Sequence, residues 1–340
     1  MTKTYDVAVV GATGLVGACM MRILEQRNFP VGRLYPLASA RSRGKTVQFR
    51  GEAVPVEVLD EFDFGKTQIG LFSAGGSISA VHAPRAAAAG TVVIDNTSHF
   101  RYEKDIPLVV PEVNPHRIAD YRNRGIIANP NCSTIQMVVA LKPIHDAYGI
   151  ERINVATYQA VSGAGASAVA KLTRDTQAIL AGEQPQADGP MKHVAFNCVP
   201  QIDVFLDNGF TKEEMKMIWE TRKIMEDDSI MVNPTAVRVP VYFGHSEAVH
   251  IETRTKVTVS DAQKLLNSAP GVVVIDGRAP GAYPTAATEA ADHDAVYVGR
   301  IREDLSHPRG LNLWIVSDNL RKGAALNSVQ IAEILVKEIM

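Results

Sequence analysis

Cys132 is the residue in this chain best placed to do chemistry. It lies in the run Asn129-Pro130-Asn131-Cys132-Ser133-Thr134-Ile135-Gln136. Pro130 and Asn131 should stop a preceding strand, Asn131 can cap a helix, and Cys132 then falls in the first turn. The partial positive charge at a helix start favours thiolate, lowers the thiol pKa and makes a nucleophile. Cys19 lies inside an apolar helical stretch, and Cys198, near a loop, reads as structural. A thiolate beside a hydride acceptor suggests one reaction class. The thiol adds to an aldehyde, the hemithioacetal gives up hydride, and a nucleophile cleaves the resulting thioester. That chemistry calls for a base, normally histidine. Among nine histidines, His245 differs from the rest. It follows Gly244 in RVPVYFGHSE, the expected turn of a hairpin, where it can point into a cleft. Arg238 in the same strand alternates against Val237 and Val239 and faces away from that apolar pair.

A second constellation is the loop GATGLVG, which follows Val7–Val10 and carries Gly11, Gly14 and Gly17. Glycine at a strand-to-helix turn lets the backbone approach a phosphate, and the helix start offers N–H groups to an anion. The spacing is a variant of the dinucleotide fingerprint G-x-G-x-x-G, and a tight turn without a ligand is its plain alternative. An NAD enzyme usually carries an acid about 20 residues further on to hold the ribose diol. From Gln26 to Gly51 there is no Asp or Glu, and after the second expected strand the chain reads Ser39-Ala40-Arg41-Ser42-Arg43. A guanidinium and hydroxyls suit a 2′-phosphate, so NADP is expected over NAD, with a solvated basic loop as the alternative.

The elements that must hold these residues follow from hydrophobic periodicity. Strands are expected at Tyr5–Val10, Gly32–Leu37, Val54 to Val58, Ile69–Phe72 and Val92–Ile94. Helices are expected at Gly14–Gln26 and between Ser77 and Ala89, the latter ended by Gly90. This alternation predicts a doubly wound, Rossmann-like parallel sheet. Beyond Ala128 the reading is helix Cys132–Tyr148 with Ile135, Val138, Val139 and Ile144 on one side, strand Ile153–Gln159, helix Ala166–Leu180 and loop Glu183–Pro190. A helix capped by Thr211 and Glu214 follows, then strand–turn–strand over Ala236–Lys256, and strands Val272–Ile275, Ala295–Ile301 and Leu311–Val316. A last helix, Ala324–Met340, carries Leu326, Val329, Leu335 and Val336 as its apolar stripe. The expected organisation is α/β: a cofactor domain over 1–130 completed by a C-terminal segment 318–340, and an α+β catalytic and dimerisation domain with a mixed sheet over 131–317. With 340 residues, roughly 150 per domain also gives two. Lys plus Arg at 35 against Asp plus Glu at 37 argues against a broad basic surface for nucleic acid. No run of 18 apolar residues suggests a membrane span, no ligand cluster suggests a metal, and three widely spaced cysteines suit a reducing cytoplasm.

Several motifs occur in one order: GATGLVG, SHFR at 98–101, NPNCSTIQ at 129–136, YQAVSGAG at 158–165, EEMK at 213–216, RVPVYFGHSE at 238–247 and SDNLRKGAA at 317–325. Together they resemble the aspartate-β-semialdehyde dehydrogenases of the bacterial type over nearly the whole chain. The resemblance implies reversible conversion of aspartyl phosphate and NADPH to aspartate semialdehyde, phosphate and NADP, on the route to lysine, threonine and methionine, by a homodimer. It implies that Cys132 forms the acyl-thioester, His245 serves as acid and base, and Gln159 orients the substrate. Arg101 and Lys216 would hold phosphate, and Glu213 and Arg238 the amino and carboxylate ends. Gly11 and Thr13–Val16, with Gly14 and Leu15, would cradle the pyrophosphate, and Ser39, Arg41 and Ser42 would flank the 2′-phosphate. Ser162, Gly163 and Asn319 would lie near the nicotinamide.

A substrate with a carboxylate, an ammonium and a phosphate needs two cationic sites and one anionic site, which this set supplies. Taken singly, Arg101 reads equally as a surface arginine, Glu213 and Lys216 as a solvated ion pair, Arg238 as a strand-edge salt bridge, and Gln159 and Asn319 as backbone-bonded amides. Another phosphorylating acyl dehydrogenase, such as N-acetyl-γ-glutamyl-phosphate reductase, or a non-catalytic dinucleotide-binding homologue are the competing readings. The cofactor reading yields a direct expectation. Arg41→Ala should weaken NADP binding by about tenfold, the worth of one charge-assisted hydrogen bond, and leave NAD binding nearly unchanged. Fluorescence titration with both dinucleotides measures it, and an unchanged affinity ratio removes the 2′-phosphate assignment.

Overall fold

The computed structural model describes residues 3–187 and 189–339. Asp188 of the expected loop Glu183–Pro190 and Met340 of the expected last helix lie outside the described residues. The backbone divides into two units, one running to Asn131 and resuming at Ala324, the other Cys132–Gly323.

The first unit contains β1 (Tyr5–Val10), α1 (Leu15–Gln26), β2 (Val31–Ala38), β3 (Thr46–Phe49), β4 (Glu52–Pro55), β5 (Glu57–Val58), β6 (Ile69–Phe72), α2 (Gly76–Ala88), β7 (Val92–Asp95) and β8 (Ile126–Ala128). Its main sheet runs β5-β2-β1-β6-β7-β8, and every pair is parallel. β6 and β7 are buried along their whole length, as a sheet covered on both faces requires. The strand order turns back between β1 and β6, so the carboxyl ends of those strands form the crevice where such sheets take ligands. The expected single strand through Val54, Val56 and Val58 is in fact two. Arg50 and Gly51 both have positive φ, 50° and 78°, and fold β4 back on β3 as a hairpin. Only β5 then joins the main sheet.

The three loop glycines have separate reasons. Gly11 turns at φ 86°, Gly14 is the N-cap of α1, and a Cβ on Gly17 would lie 2.3 Å from the Gly11 carbonyl oxygen. The third glycine therefore allows α1 to pack onto the turn itself. The C-terminal helix, Leu326–Ile334, is flanked by π turns and belongs to this unit. Its Asn327 amide donates to Val109 O and Asn129 Oδ1, and Glu333 pairs with Arg27 at 2.8 Å. The expected apolar stripe is accompanied by buried Asn327 and Ser328, which those partners accommodate.

The second unit contains α3 (Cys132–Tyr148), β9 (Ile150–Gln159), α4 (Ala166–Leu180), α5 (Lys212–Met225), β10 (Met231–Arg238), β11 (His245–Thr253), α6 (Val259–Ser268), β12 (Val272–Val274), β13 (Val296–Glu303) and β14 (Gly310–Ser317). They form a mixed sheet in the order β10-β9-β11-β14-β13-β12. The expected hairpin over Ala236–Lys256 does not form. β9 lies between β10 and β11, parallel to the first and antiparallel to the second. The link from Val239 to Gly244 thus crosses the end of β9. α3 packs on β9, β11, β13 and β14. It was expected to be apolar on one side, yet every residue from Ser133 to Leu141 is buried, as befits a helix enclosed on all sides. Cys19 is buried as expected, whereas Cys198, expected to be structural, is exposed because the Asn197–Val199 segment packs only Val199 inward.

Among the described residues no helix is long and apolar enough to cross a membrane, and no group of three His, Cys, Asp or Glu could hold a metal. The contact at Gly17 yields a prediction. Gly17→Ala must push α1 off the Gly11 turn, costing about 1–3 kcal/mol of overpacking. Urea unfolding measures the loss, and a variant as stable as the parent contradicts the packing reason.

Candidate active site

Cys132 is the first residue of α3 and is partly exposed. A Cβ on Gly323 would stand 2.8 Å from its Cβ, so glycine there allows the Asp318–Gly323 turn to run against this cysteine. Arg238 lies close enough to Cys132 for a direct electrostatic attraction. A helix start and a guanidinium both favour thiolate at this sulfur.

His245 is not in a hairpin tip. It is the first residue of β11 and is fully buried, because the crossing over β9 lays its ring against the end of that strand. The backbone N–H of Ala160, one residue beyond β9, donates to Nδ1 at 3.0 Å. An amide can only donate, so Nδ1 carries the lone pair and the neutral ring holds its proton on Nε2. That Nε2 is buried and has no partner among the described residues. Burial, and then the Arg238 charge, push the imidazole pKa down to about 3. The ring is therefore a neutral donor at Nε2.

The strand ends and α5 bring the polar set together. Thr211 and Glu214 form a full capping box at the start of α5. The Glu214 carboxylate also accepts from Ala236 N–H at 2.9 Å, which fixes α5 to β10. This presents Glu213 and Lys216 on one side, joined at 2.9 Å. Lys216 also meets Asp203 at 2.8 Å. Burial works against the Lys216 charge, but Glu213 and Asp203 outweigh it and hold the ammonium pKa above its ordinary value. Gln159, at the end of β9, donates to Ser133 Oγ at 2.9 Å and to Glu213 at 3.2 Å. Arg238, at the end of β10, donates to Ala160 O at 2.7 Å. Burial pulls its pKa down, against the attraction of Glu213 and Cys132. A Cβ on Gly163 would sit 3.1 Å from the Arg238 guanidinium and 3.4 Å from His245 Nε2, so glycine leaves open the space that both face. Ser162 and Asn319 bond to each other, Asn319 Nδ2 donating to Ser162 Oγ at 3.0 Å, and Asn319 Oδ1 accepts from Gly244 N–H at 2.9 Å. That contact steadies the residue before His245.

Cys132, Gln159, Ser162, Gly163, Glu213, Lys216, Arg238, His245 and Asn319 thus belong to one unit, while Arg101 and the loop residues lie in the other. Arg101 follows β7, is buried, and donates to Asn96 O at 2.7 Å. At the carboxyl edge of the first sheet, Gly11 N–H and Ala12 N–H both donate to Leu37 O, at 2.9 and 3.2 Å. The β1 loop with Gly11, Thr13, Gly14, Leu15 and Val16 therefore borders the Ser39–Ser42 turn after β2. Ser39 and Arg41 are exposed there, Ser42 is buried, and Arg43 pairs with Glu61. α1 begins on glycine with no side-chain cap, and so does α2, on Gly75 at φ 103°. Two uncapped helix starts at one sheet edge fit a dinucleotide pyrophosphate.

Sequence reasoning missed Ser133, Asp203, Gly75 and Gly323. The run Ser73-Ala74-Gly75-Gly76-Ser77 after β6 was a usable signal. Asp203, held at φ 69°, gave none, because only the fold brings it to Lys216.

A cysteine at a helix start with a buried imidazole in one unit, in a chain whose other unit carries a nucleotide-binding type of sheet, defines a phosphorylating aldehyde dehydrogenase class. Residues 6–121 match the family model for the semialdehyde dehydrogenase NAD binding domain, and 141–322 that for the semialdehyde dehydrogenase dimerisation domain. An aspartate-semialdehyde dehydrogenase of Legionella pneumophila is 61% identical over 100% of this chain and 98% of its own length. One from Shewanella sp. strain DB6705 is 59% identical over 99% of both. The structure of aspartate semialdehyde dehydrogenase II complexed with ASA from Vibrio cholerae superposes with a TM-score of 0.97 at 56% identity over the full length of both chains. An aspartate semialdehyde dehydrogenase with NADP from Candida albicans gives 0.76 at 25% identity, over 98% of this chain and 99% of that one. The chain belongs to the aspartate-semialdehyde dehydrogenase family, and it uses a nicotinamide dinucleotide.

The buried imidazole makes a pH prediction. Its folded pKa lies below the unfolded value of about 6.5, so the unfolded chain binds the proton preferentially. Its contribution is intact above pH 6.5 and is lost as pH falls toward 3, by about 2 kcal/mol already at pH 5. Urea unfolding of the parent and of His245→Gln isolates this group. The parent should lose about 2 kcal/mol more than the variant between pH 8 and pH 5, and equal losses contradict the buried neutral ring.

Proposed function

We propose that this enzyme reduces L-4-aspartyl phosphate to L-aspartate 4-semialdehyde, reversibly and with NADP, through a thioester on Cys132. The observation that carries the reading is the setting of Cys132: first turn of α3, next to Arg238, in the same unit as a neutral buried imidazole whose Nε2–H has no partner among the described residues. Cys132 Sγ attacks the acyl carbon; the C–S bond forms, the C–O bond to phosphorus breaks, and phosphate leaves. The bound nicotinamide supplies the hydride that the thioester carbon takes up. The C–S bond then breaks and Cys132 regains its thiolate as the aldehyde departs. His245 Nε2–H donates to the carbonyl oxygen as negative charge gathers there, a role in which a fixed tautomer needs no reorganisation. Arg238 holds the substrate carboxylate, Glu213 the ammonium, and Gln159 orients the acyl group from its bonds to Ser133 and Glu213. Lys216 and Arg101 take the phosphate.

Gly11, Thr13, Gly14, Leu15 and Val16 hold the cofactor pyrophosphate at the start of α1, and Ser39 and Arg41 take the 2′-phosphate. Ser42 flanks it from a buried position. Ser162, Gly163 and Asn319 border the nicotinamide. In this assignment residues 1–130 with 318–340 bind the cofactor and 131–317 catalyse and dimerise. A second copy of the chain covers the open face of the second sheet, where Tyr158, Met231, Asn233, Thr235 and Ala248 are exposed; an exposed sheet face of this kind favours association. Three free cysteines fit a cytoplasmic enzyme.

Following NADPH formation from aspartate semialdehyde with and without phosphate tests the reading. Turnover should require phosphate and exceed that on N-acetylglutamate semialdehyde, because Glu213 seeks a free ammonium. Cys132→Ser should lose about 10³-fold or more in kcat while keeping its Tm. Preference for the acetylated substrate, or an active serine variant, overturns it.

A further inference from the structure

One buried group has no part in that mechanism. Glu247 is fully buried on β11, and neither of its oxygens has a well-formed hydrogen bond among the described residues. The one side chain that acts on its carboxyl is the Gln136 amide, whose own polar atoms also lack a well-formed bond. Its cross-strand neighbours are Thr157 and Ile315, and neither carries charge. An ionised carboxylate in that setting would be prohibitively costly, and burial pushes its pKa well above the usual range. A protonated carboxyl has one O–H donor and one carbonyl acceptor, which complement the acceptor and donor of an amide.

Its position relative to the nucleophile gives the pair a use. Gln136 is four residues beyond Cys132 on α3, on the same helix face. Glu247 is two residues beyond His245 on β11, on the same strand face. α3 packs on β11. The helix and the strand therefore bring acid and amide to one level and carry Cys132 and His245 at the next.

We propose that Glu247, as a neutral carboxylic acid paired with Gln136, is a positioning residue that sets the register of the Cys132 helix against the His245 strand. The inference rests on the reading of Cys132 as nucleophile. Neutrality matters as much as the contact, because a carboxylate this close to the start of α3 would oppose the thiolate.

Glu247→Gln, Glu247→Ala and Gln136→Leu test the proposal in the full-length enzyme, read by steady-state kinetics, by iodoacetamide alkylation of Cys132 against pH, and by infrared spectroscopy. Glu247→Gln should keep kcat and the alkylation profile within about twofold, since amide and neutral acid are both uncharged. Glu247→Ala and Gln136→Leu should each lower kcat by about 10²-fold, the scale of a misplaced reacting group, with KM changed less than threefold. The parent should show the C=O band of a protonated carboxyl at neutral pH that Glu247→Gln lacks. Absence of that band, faster alkylation in Glu247→Gln, or unaltered kcat in both truncations overturns the proposal. If one truncated variant fails to fold, the other and the infrared band still decide. An active Cys132→Ser instead overturns the nucleophile reading and leaves the infrared result standing.

Discussion

One backbone amide, the N–H of Ala160, determines what His245 can do. Donating to Nδ1, it places the ring proton on Nε2 and turns a buried histidine into a fixed hydrogen-bond donor. The amide can do this only because β9 is inserted between β10 and β11, so that the residue after Gln159 lies where β11 begins. The Ala160 carbonyl simultaneously accepts from Arg238 at the end of β10. Ala160, through the peptide groups on either side of it, thereby joins the imidazole and the guanidinium. Both of these face the space that Gly163 leaves open.

The polar groups around this peptide are arranged so that each supports another. Glu214 caps α5 and bonds β10, which orients Glu213 and Lys216 on the next positions of the helix. Gln159 reaches both Glu213 on α5 and Ser133 beside the nucleophile. Lys216 meets two carboxylates, and Glu213 also attracts Arg238, so two cations stand against two anions. Pairing repays part of the desolvation penalty of burying these charges. The first unit uses different physics. There the parts aimed at a ligand are backbone N–H groups at helix starts, and glycines at Gly11, Gly14 and Gly75 keep them accessible.

What could be read before the structure depended on how local the determinants are. Helix α3 beginning at Cys132, the capping box at Thr211, and the parallel sheet all follow from short-range patterning, and each appears where the residues placed it. The setting of His245 was misread because Gly244 followed by a strand looks the same in a hairpin and in a crossover. Only the insertion of a distant strand separates the two. Val54 to Val58 alternate like one strand, yet the turn at Arg50 and Gly51 pairs Val54 with β3, while Val58 alone reaches the main sheet. Glu247 and Asp203 look like ordinary charged residues in sequence. Their burial and partners arise from tertiary packing, which periodicity does not encode.

The central claim is that the carbon being oxidised or reduced is covalently held by Cys132. Mixing the enzyme with aspartate semialdehyde and excess NADP in the absence of phosphate should halt the cycle at that stage. Acid quenching, digestion and mass spectrometry should then find one aspartyl group, on the Cys132 peptide, in step with one equivalent of NADPH. A stoichiometric burst of NADPH with no adduct on that peptide, or with the adduct on Cys19 or Cys198, would contradict the account.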